Sequence, residues 1–221
     1  MSNLPKISCA HLFLTPIQNL FDRKVNVNIL EKNFSSKKVL FRTDTTYDLD
    51  PLSLSVNNDV GMILYWARQY DEAIAQYQKT LEMDRNFIVA HWGLGRTFTQ
   101  KGMYEEAMIE LQKAIILSDS NSVYVASLAY MYAMAGNKNA AQKILKELKN
   151  ASKQRYVSSY QIALIYSALL QKTQAFTWLK KAYEERSSDL ILLKVDPRLD
   201  NLRPDPRFFE LCKKIGLEKQ K

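Results

Sequence analysis

Residues 70–84 read YDEAIAQYQKTLEMD and residues 104–118 read YEEAMIELQKAIILS. Laid one over the other they match at an offset of 34 residues: a tyrosine, an acidic pair, an alanine, and a Gln-Lys step. Two further steps of the same length find the alanine again, so Ala73, Ala107, Ala141 and Ala175 form one column. Gly61, Gly95, Ala129 and Ala163 form a second small-residue column. Large apolar columns run through Leu64, Phe98, Tyr132 and Tyr166, and through Tyr77, Leu111, Leu145 and Leu179. A fixed period of this length marks a supersecondary unit that buries its apolar face by stacking on its neighbours. Two helical stretches fill each unit; in the second they span about 88–100 and 104–117, joined by Lys101-Gly102-Met103. Small residues let paired helices approach, and the large columns fill the space between them.

The columns L-G-x2-Y and A-x3-F-x2-A, present as Leu94-Gly95-Arg96-Thr97-Phe98 and Ala107 to Ala114, resemble the tetratricopeptide repeat family. The resemblance covers 54–189 as four units, 54–87, 88–121, 122–155 and 156–189. It implies an all-α, right-handed α-solenoid of helix pairs with a C-terminal capping helix. There are departures. The proline that usually closes a unit is replaced by Arg85, Asp119, Lys153 and Ser187, and Leu170 stands where a turn glycine is common.

Register also settles a misleading stretch. His91 to Phe98 reads HWGLGRTF, with the G-x-G of a phosphate loop beside a histidine and an arginine. A phosphate loop needs its glycines in a turn between a strand and a helix. Here they fall inside a helix, with Gly95 as a helix-contact residue and Gly93 expected to be exposed or groove-side. His91 reads as a packing or hydrogen-bonding histidine. The carboxylate pairs Asp71-Glu72 and Glu105-Glu106 fall in the first turns of second helices, where they complement the helix dipole. No H-x3-H or C-x2-C metal spacing occurs. The pass leaves no catalytic residue, metal or cofactor, and the chain reads as a non-enzyme.

What remains is a surface. The resemblance implies that the first helices line a concave groove. Its candidate partner-binding residues are Asn58, Met62, Tyr65 and Trp66; Trp92 and Arg96; Tyr130 and Met134; and Tyr160 and Leu164. Aromatic residues and methionine are anchor types for a bound peptide. Chaperone-binding members clamp a carboxylate with lysine, asparagine and arginine; this groove offers Asn58, Arg96 and no lysine, which favours an apolar extended peptide or an amphipathic helix. The expected function is a protein–protein interaction scaffold, with a protein or peptide partner and no small-molecule substrate. The alternative is nucleic-acid or acidic-protein binding through the basic face of 138–155, in a chain of net charge +8. No aromatic residue interrupts that stretch, which argues against stacked bases.

Residues 1–53 read as a degenerate or irregular N-terminal segment, polar and β-branched where a repeat would be helical. Residues 190–221 read as a capping segment. Asp196-Pro197 and Asp205-Pro206 each give an N-cap followed by proline. Phe208, Leu211, Cys212 and Ile215 then share one helix face, expected near Leu179 and Tyr183, and Gly216 ends it. This tail resembles the closing segment of bacterial tetratricopeptide arrays found in longer regulatory proteins. That resemblance implies a bacterial protein, and two distant cysteines with no apolar run of membrane-spanning length lead to the expectation of a cytoplasmic one.

Overall fold

The computed structural model describes residues 52–217. Most of the segment expected to be irregular, with Cys9 and His11, lies outside them. Helix α1 (Leu54–Trp66) pairs with α2 (Tyr70–Met83), α3 (Ile88–Lys101) with α4 (Tyr104–Leu117), α5 (Ser122–Met134) with α6 (Lys138–Ala151), and α7 (Ser159–Ala168) with α8 (Lys172–Glu184). Each second helix also packs on the next first helix, and α1, α3, α5 and α7 lie side by side. This is an α-solenoid, with no strand among the described residues.

Local chemistry sets the helix ends. Ser53, Asn121, Asn137 and Ser158 cap α1, α5, α6 and α7, each side chain accepting from a backbone N–H in the first turn. Asp71-Glu72 and Glu105-Glu106 do occupy the first turns of α2 and α4. The turn between paired helices carries its own period. Arg68, Gly102, Gly136 and Leu170, 34 residues apart, have φ of 62, 76, 81 and 61°. The backbone turns through the left-handed region at each, so two non-glycine residues hold a conformation that suits glycine.

The alanine column is the closest approach of each pair: Ala73, Ala107, Ala141 and Ala175 are all 0% exposed. A Cβ on Gly95 would come within 2.5 Å of Leu111 Cγ, and one on Gly61 within 2.7 Å of the Tyr77 ring. Gly93 departs from expectation. It is buried, and its missing Cβ makes room for the same Tyr77 ring. Both glycines of HWGLGRTF are therefore packing residues on a helix enclosed nearly all round.

After α8 come a 3-10 helix (Ser188–Leu192), a second (Pro197–Leu202) and α9 (Pro206–Lys214). Asp196 and Asp205 cap the last two, each followed by its proline. Helix α9 packs on α8, burying Phe208, Leu211 and Cys212 in the apolar cluster that holds Leu179, with Ile215 partly buried against it. Tyr183 stays 41% exposed, so the cap covers less of α8 than its apolar face suggested.

Candidate functional site

The first helices α1, α3, α5 and α7 present the face on which the groove residues were expected, and this face is covered. Asn58, Met62, Tyr65, Trp66, Trp92, Arg96, Tyr130, Tyr160 and Leu164 are all buried; Met134, at the end of α5, is 40% exposed. The cover is the chain itself. Residues 188–202 run across the face as a strap from the last helix pair to the first.

The strap is held at both ends and in the middle. Ser158, which caps α7, donates to Asp189 at 3.0 Å. Leu192 and Val195 join Met62, Tyr65 and Trp66 in one apolar cluster. Tyr160 donates its hydroxyl to Asp196 at 3.0 Å. Ser167 donates to the Arg198 carbonyl at 3.0 Å, and Asn201 donates its amide to the Ser167 carbonyl at 2.7 Å. Beyond them Arg68, in the turn after α1, meets Asp200 at 2.7 Å. Each of these partners belongs to a first helix, its cap, or the turn that ends it.

At the centre lies a buried ion pair internal to the strap. Arg198 donates from Nε and Nη2 to Asp196, with Nη2 at 2.6 Å. Burial pushes the Asp196 carboxyl up most strongly. The Arg198 charge and its hydrogen bonds, with help from Arg96, outweigh that and hold it below the usual carboxylate range. Burial, the largest influence, also raises Tyr160, and the Asp196 charge adds to it.

Arg96 is the other central cation. Its guanidinium lies between two rings, 4.3 Å from the Tyr65 centroid and 4.4 Å from that of Trp92. Its Nε and Nη2 are buried without a hydrogen-bond partner, as are Tyr65 Oη, Trp66 Nε1 and Asn58 Oδ1. Trp92 is more deeply structural than a groove anchor. It donates to Ser127 of α5 at 2.8 Å and stands edge-on to Tyr124, within the apolar cluster of Ala107 and Leu111. Its substitution would disturb the contact between the second and third units, contrary to a role confined to a free surface.

His91 is a structural histidine. It bridges the Arg85 carbonyl at 2.8 Å and Glu110 of α4 at 2.5 Å. Burial pulls its pKa down; the bonds to Glu110 and Arg85 and the Glu110 charge more than offset this and leave it raised. Glu110 is lowered, burial being outweighed by His91 and Lys113.

On the basic face of α6, Lys143, Lys146, Lys149 and Lys153 are exposed. Lys146, Lys149 and Lys153, with Gln142, Asn150 and Gln171, line a cleft of about 480 Å³. Tyr166 closes its floor and takes a hydrogen bond from Lys149 at 3.4 Å. This aromatic residue comes from the next unit, so a linear scan of 138–155 misses it. It is 8% exposed and offers no ring face to a base.

No group of three or more His, Cys, Asp or Glu among the described residues is arranged to hold a metal ion. No helix among them is long and apolar enough to cross a membrane. The feature that the sequence reading missed is the strap. Its signal is the apolar run Leu190 to Leu193 and Val195, without helical spacing, followed by Asp196-Pro197; such a run must be buried somewhere other than on one helix face.

The family described as tetratricopeptide repeat matches residues 66–129. No curated protein matches the chain. Among solved structures it is similar to YrrB, described as a TPR protein with an unusual peptide-binding site, at 15% identity and a TM-score of 0.45, covering 79% of this chain and 90% of that one. It is also similar to a tetratricopeptide repeat protein from Parabacteroides merdae ATCC 43184, at 14% identity and a TM-score of 0.47, covering 94% of this chain and 80% of that one.

Proposed function

We propose that this chain, whose residues 66–129 match the tetratricopeptide repeat family, is a non-enzymatic interaction module whose concave face receives a peptide or helix of a partner protein. The four units 54–87, 88–121, 122–155 and 156–189, closed by 190–221, form the scaffold. The observation that carries this reading is that the face already holds a polypeptide segment, 188–202, through apolar contacts and hydrogen bonds from Tyr160, Ser158 and Arg68. A surface built to seat one segment has the chemistry to seat another. The tail's likeness to bacterial arrays and the sparse cysteines support a bacterial, cytoplasmic setting.

Site-specific photo-crosslinking tests it. A photoreactive residue at Met134, on the rim of the concave side, is compared with one at Ile116, which is 78% exposed on a second helix. Partner crosslinks at 134 and not at 116 are the expected result; the reverse moves binding to the outer surface. For the basic face of α6, the expected outcome is weak nucleic-acid binding that disappears at physiological salt, because neutralised phosphates release counterions. Submicromolar binding at that salt would give that face the primary role.

A further inference from the structure

We infer that the strap, residues 188–202, is a ligand in cis for the concave face, and that a partner docking there is an apolar segment carrying aspartate or glutamate that competes with it. This rests on the interaction-module reading and specifies the partner's chemistry.

Three aspartates of the strap meet three donors of the array. Asp189 accepts from Ser158, Asp196 from Tyr160 and Asp200 from Arg68. Between them Leu192 and Val195 enter the cluster of Met62, Tyr65 and Trp66. The face therefore reads spaced carboxylates on an apolar segment. Of the strap's two cations, Lys194 and Arg198, Arg198 pairs within the strap to Asp196. Released together, Asp196 and Arg198 stay paired, while Arg68 and Arg96 of the array lose the Asp200 and Asp196 carboxylates, the charges that a competitor must replace.

The fit is also incomplete, and this gives a competitor its advantage. Arg96 is 6% exposed, and its Nε and Nη2 meet no carboxylate, the neighbouring Tyr65 hydroxyl being its weak polar contact; Trp66 Nε1 is unpartnered. A buried donor without an acceptor is costly, most of all on a charged group. A foreign segment that matched the strap and brought one more carboxylate to Arg96 would satisfy donors that the strap leaves open. Leu190, Leu193, Leu199 and Leu202 lie in the apolar cluster of the last helix pairs, so a competitor must cover that surface as the strap leaves it. The strap is flanked by the exposed turn at Arg186, with φ 54°, and by Arg203-Pro204, while α9 keeps its own seat on α8.

The test inserts a protease site between Arg186 and Ser187 of the full chain and cleaves the folded protein. The probe is a fluorescent peptide of residues 188–203, with a second in which Asp189, Asp196 and Asp200 are asparagine. Cleaved protein is expected to keep its helical circular dichroism and to take up the aspartate peptide saturably. The asparagine peptide should bind at least about tenfold more weakly, since hydrogen bonds to charged groups are the stronger ones. Uncleaved protein should take up neither peptide at the same concentration. An aspartate peptide lengthened by one glutamate positioned toward Arg96 should bind more tightly in the wild type and not in Arg96→Gln. Loss of helix on cleavage would make the strap a core layer and overturn the inference. So would a folded, cleaved protein that exchanges no peptide, or equal binding of the two peptides. Exchange of the chain's own peptide with no crosslinked partner at Met134 would instead remove the module reading and leave the strap's role standing.

Discussion

Arg68 and Asp200 stand 132 residues apart in sequence, yet the Arg68 guanidinium meets the Asp200 carboxylate at 2.7 and 2.8 Å, joining the turn of the first helix pair to the end of the strap. Both side chains are more than a third open to solvent or close to it, so the pair's worth to stability is small, about 0.2–1 kcal/mol. Arg68→Ala should barely move a urea midpoint. Its effect belongs in local opening: amide exchange over 197–203 should speed up while α3 and α5 keep their protection. Unchanged exchange there would show that Arg68 does not fasten the strap.

The Asp196–Arg198 pair should behave differently because it is buried. Arg198→Ala strands a carboxylate in the core and should cost about 3–5 kcal/mol, read as a shift in urea midpoint. Replacing the whole set, Asp196→Leu with Arg198→Met in a Tyr160→Phe background, should recover most of that loss. A triple variant as unstable as Arg198→Ala would mean that the polar set itself, rather than its balance, holds the strap.

The turn column at 68, 102, 136 and 170 predicts opposite effects at two equivalent positions. Leu170 has φ 61° and is 69% exposed, so Leu170→Gly relieves strain and loses little burial. It should stabilise by roughly 0.5–1 kcal/mol. Gly136→Leu should destabilise by about 1–2 kcal/mol, the cost of the left-handed region for a residue with a Cβ. Thermal melts of the two variants check the sign.

Gly93 offers a separate comparison. Alanine is the better helix former by about 1 kcal/mol, yet a Cβ at Gly93 would enter the Tyr77 ring. Gly93→Ala should therefore destabilise, by about 1–3 kcal/mol for an overpacked core. A melting temperature that rises would mean that the first and second units move apart freely.

His91 and Glu110 give the stability a pH signature. His91 titrates above its ordinary 6.5 in the folded protein, so the pair's contribution is complete below that value and is lost as pH rises through the higher folded pKa. Glu110 titrates below its ordinary 4.5, so its contribution is complete above that value and is lost as pH falls through the lower folded pKa. Wild type should lose stability relative to His91→Gln as pH rises above 6.5, through the raised folded pKa. Parallel stability curves above pH 6.5 would show that the fold does not raise the His91 pKa.

The repeat period was legible because it is written in residue size. Ala73, Ala107, Ala141 and Ala175 need no context to show that four helix pairs close at the same step. The Asp-Pro steps likewise announced their caps, since side chain, cap and proline are adjacent in sequence. The concave face was legible in composition and not in state. Tyr65, Tyr160 and Arg96 are the right residue types for a receiving surface. Nothing at those positions records that Asp196 and Asp200 arrive from far along the chain to cover them. Tyr166 beside Lys149 was hidden for the same reason, being supplied by the next unit. Gly93 was misread because its contact is the Tyr77 ring of the preceding unit, which no count along its own helix reveals.

A linear stack of repeats is mechanically a spring and thermodynamically a row of dominoes: each unit feels only its neighbours, and the ends fray first. The strap turns this row into a loop by coupling the first unit to the last. Fraying at either end then costs contacts at both, which raises cooperativity, and the pitch of the superhelix is fixed by a tie rod across its opening. Cutting that tie should separate one unfolding transition into two and let the coil stretch.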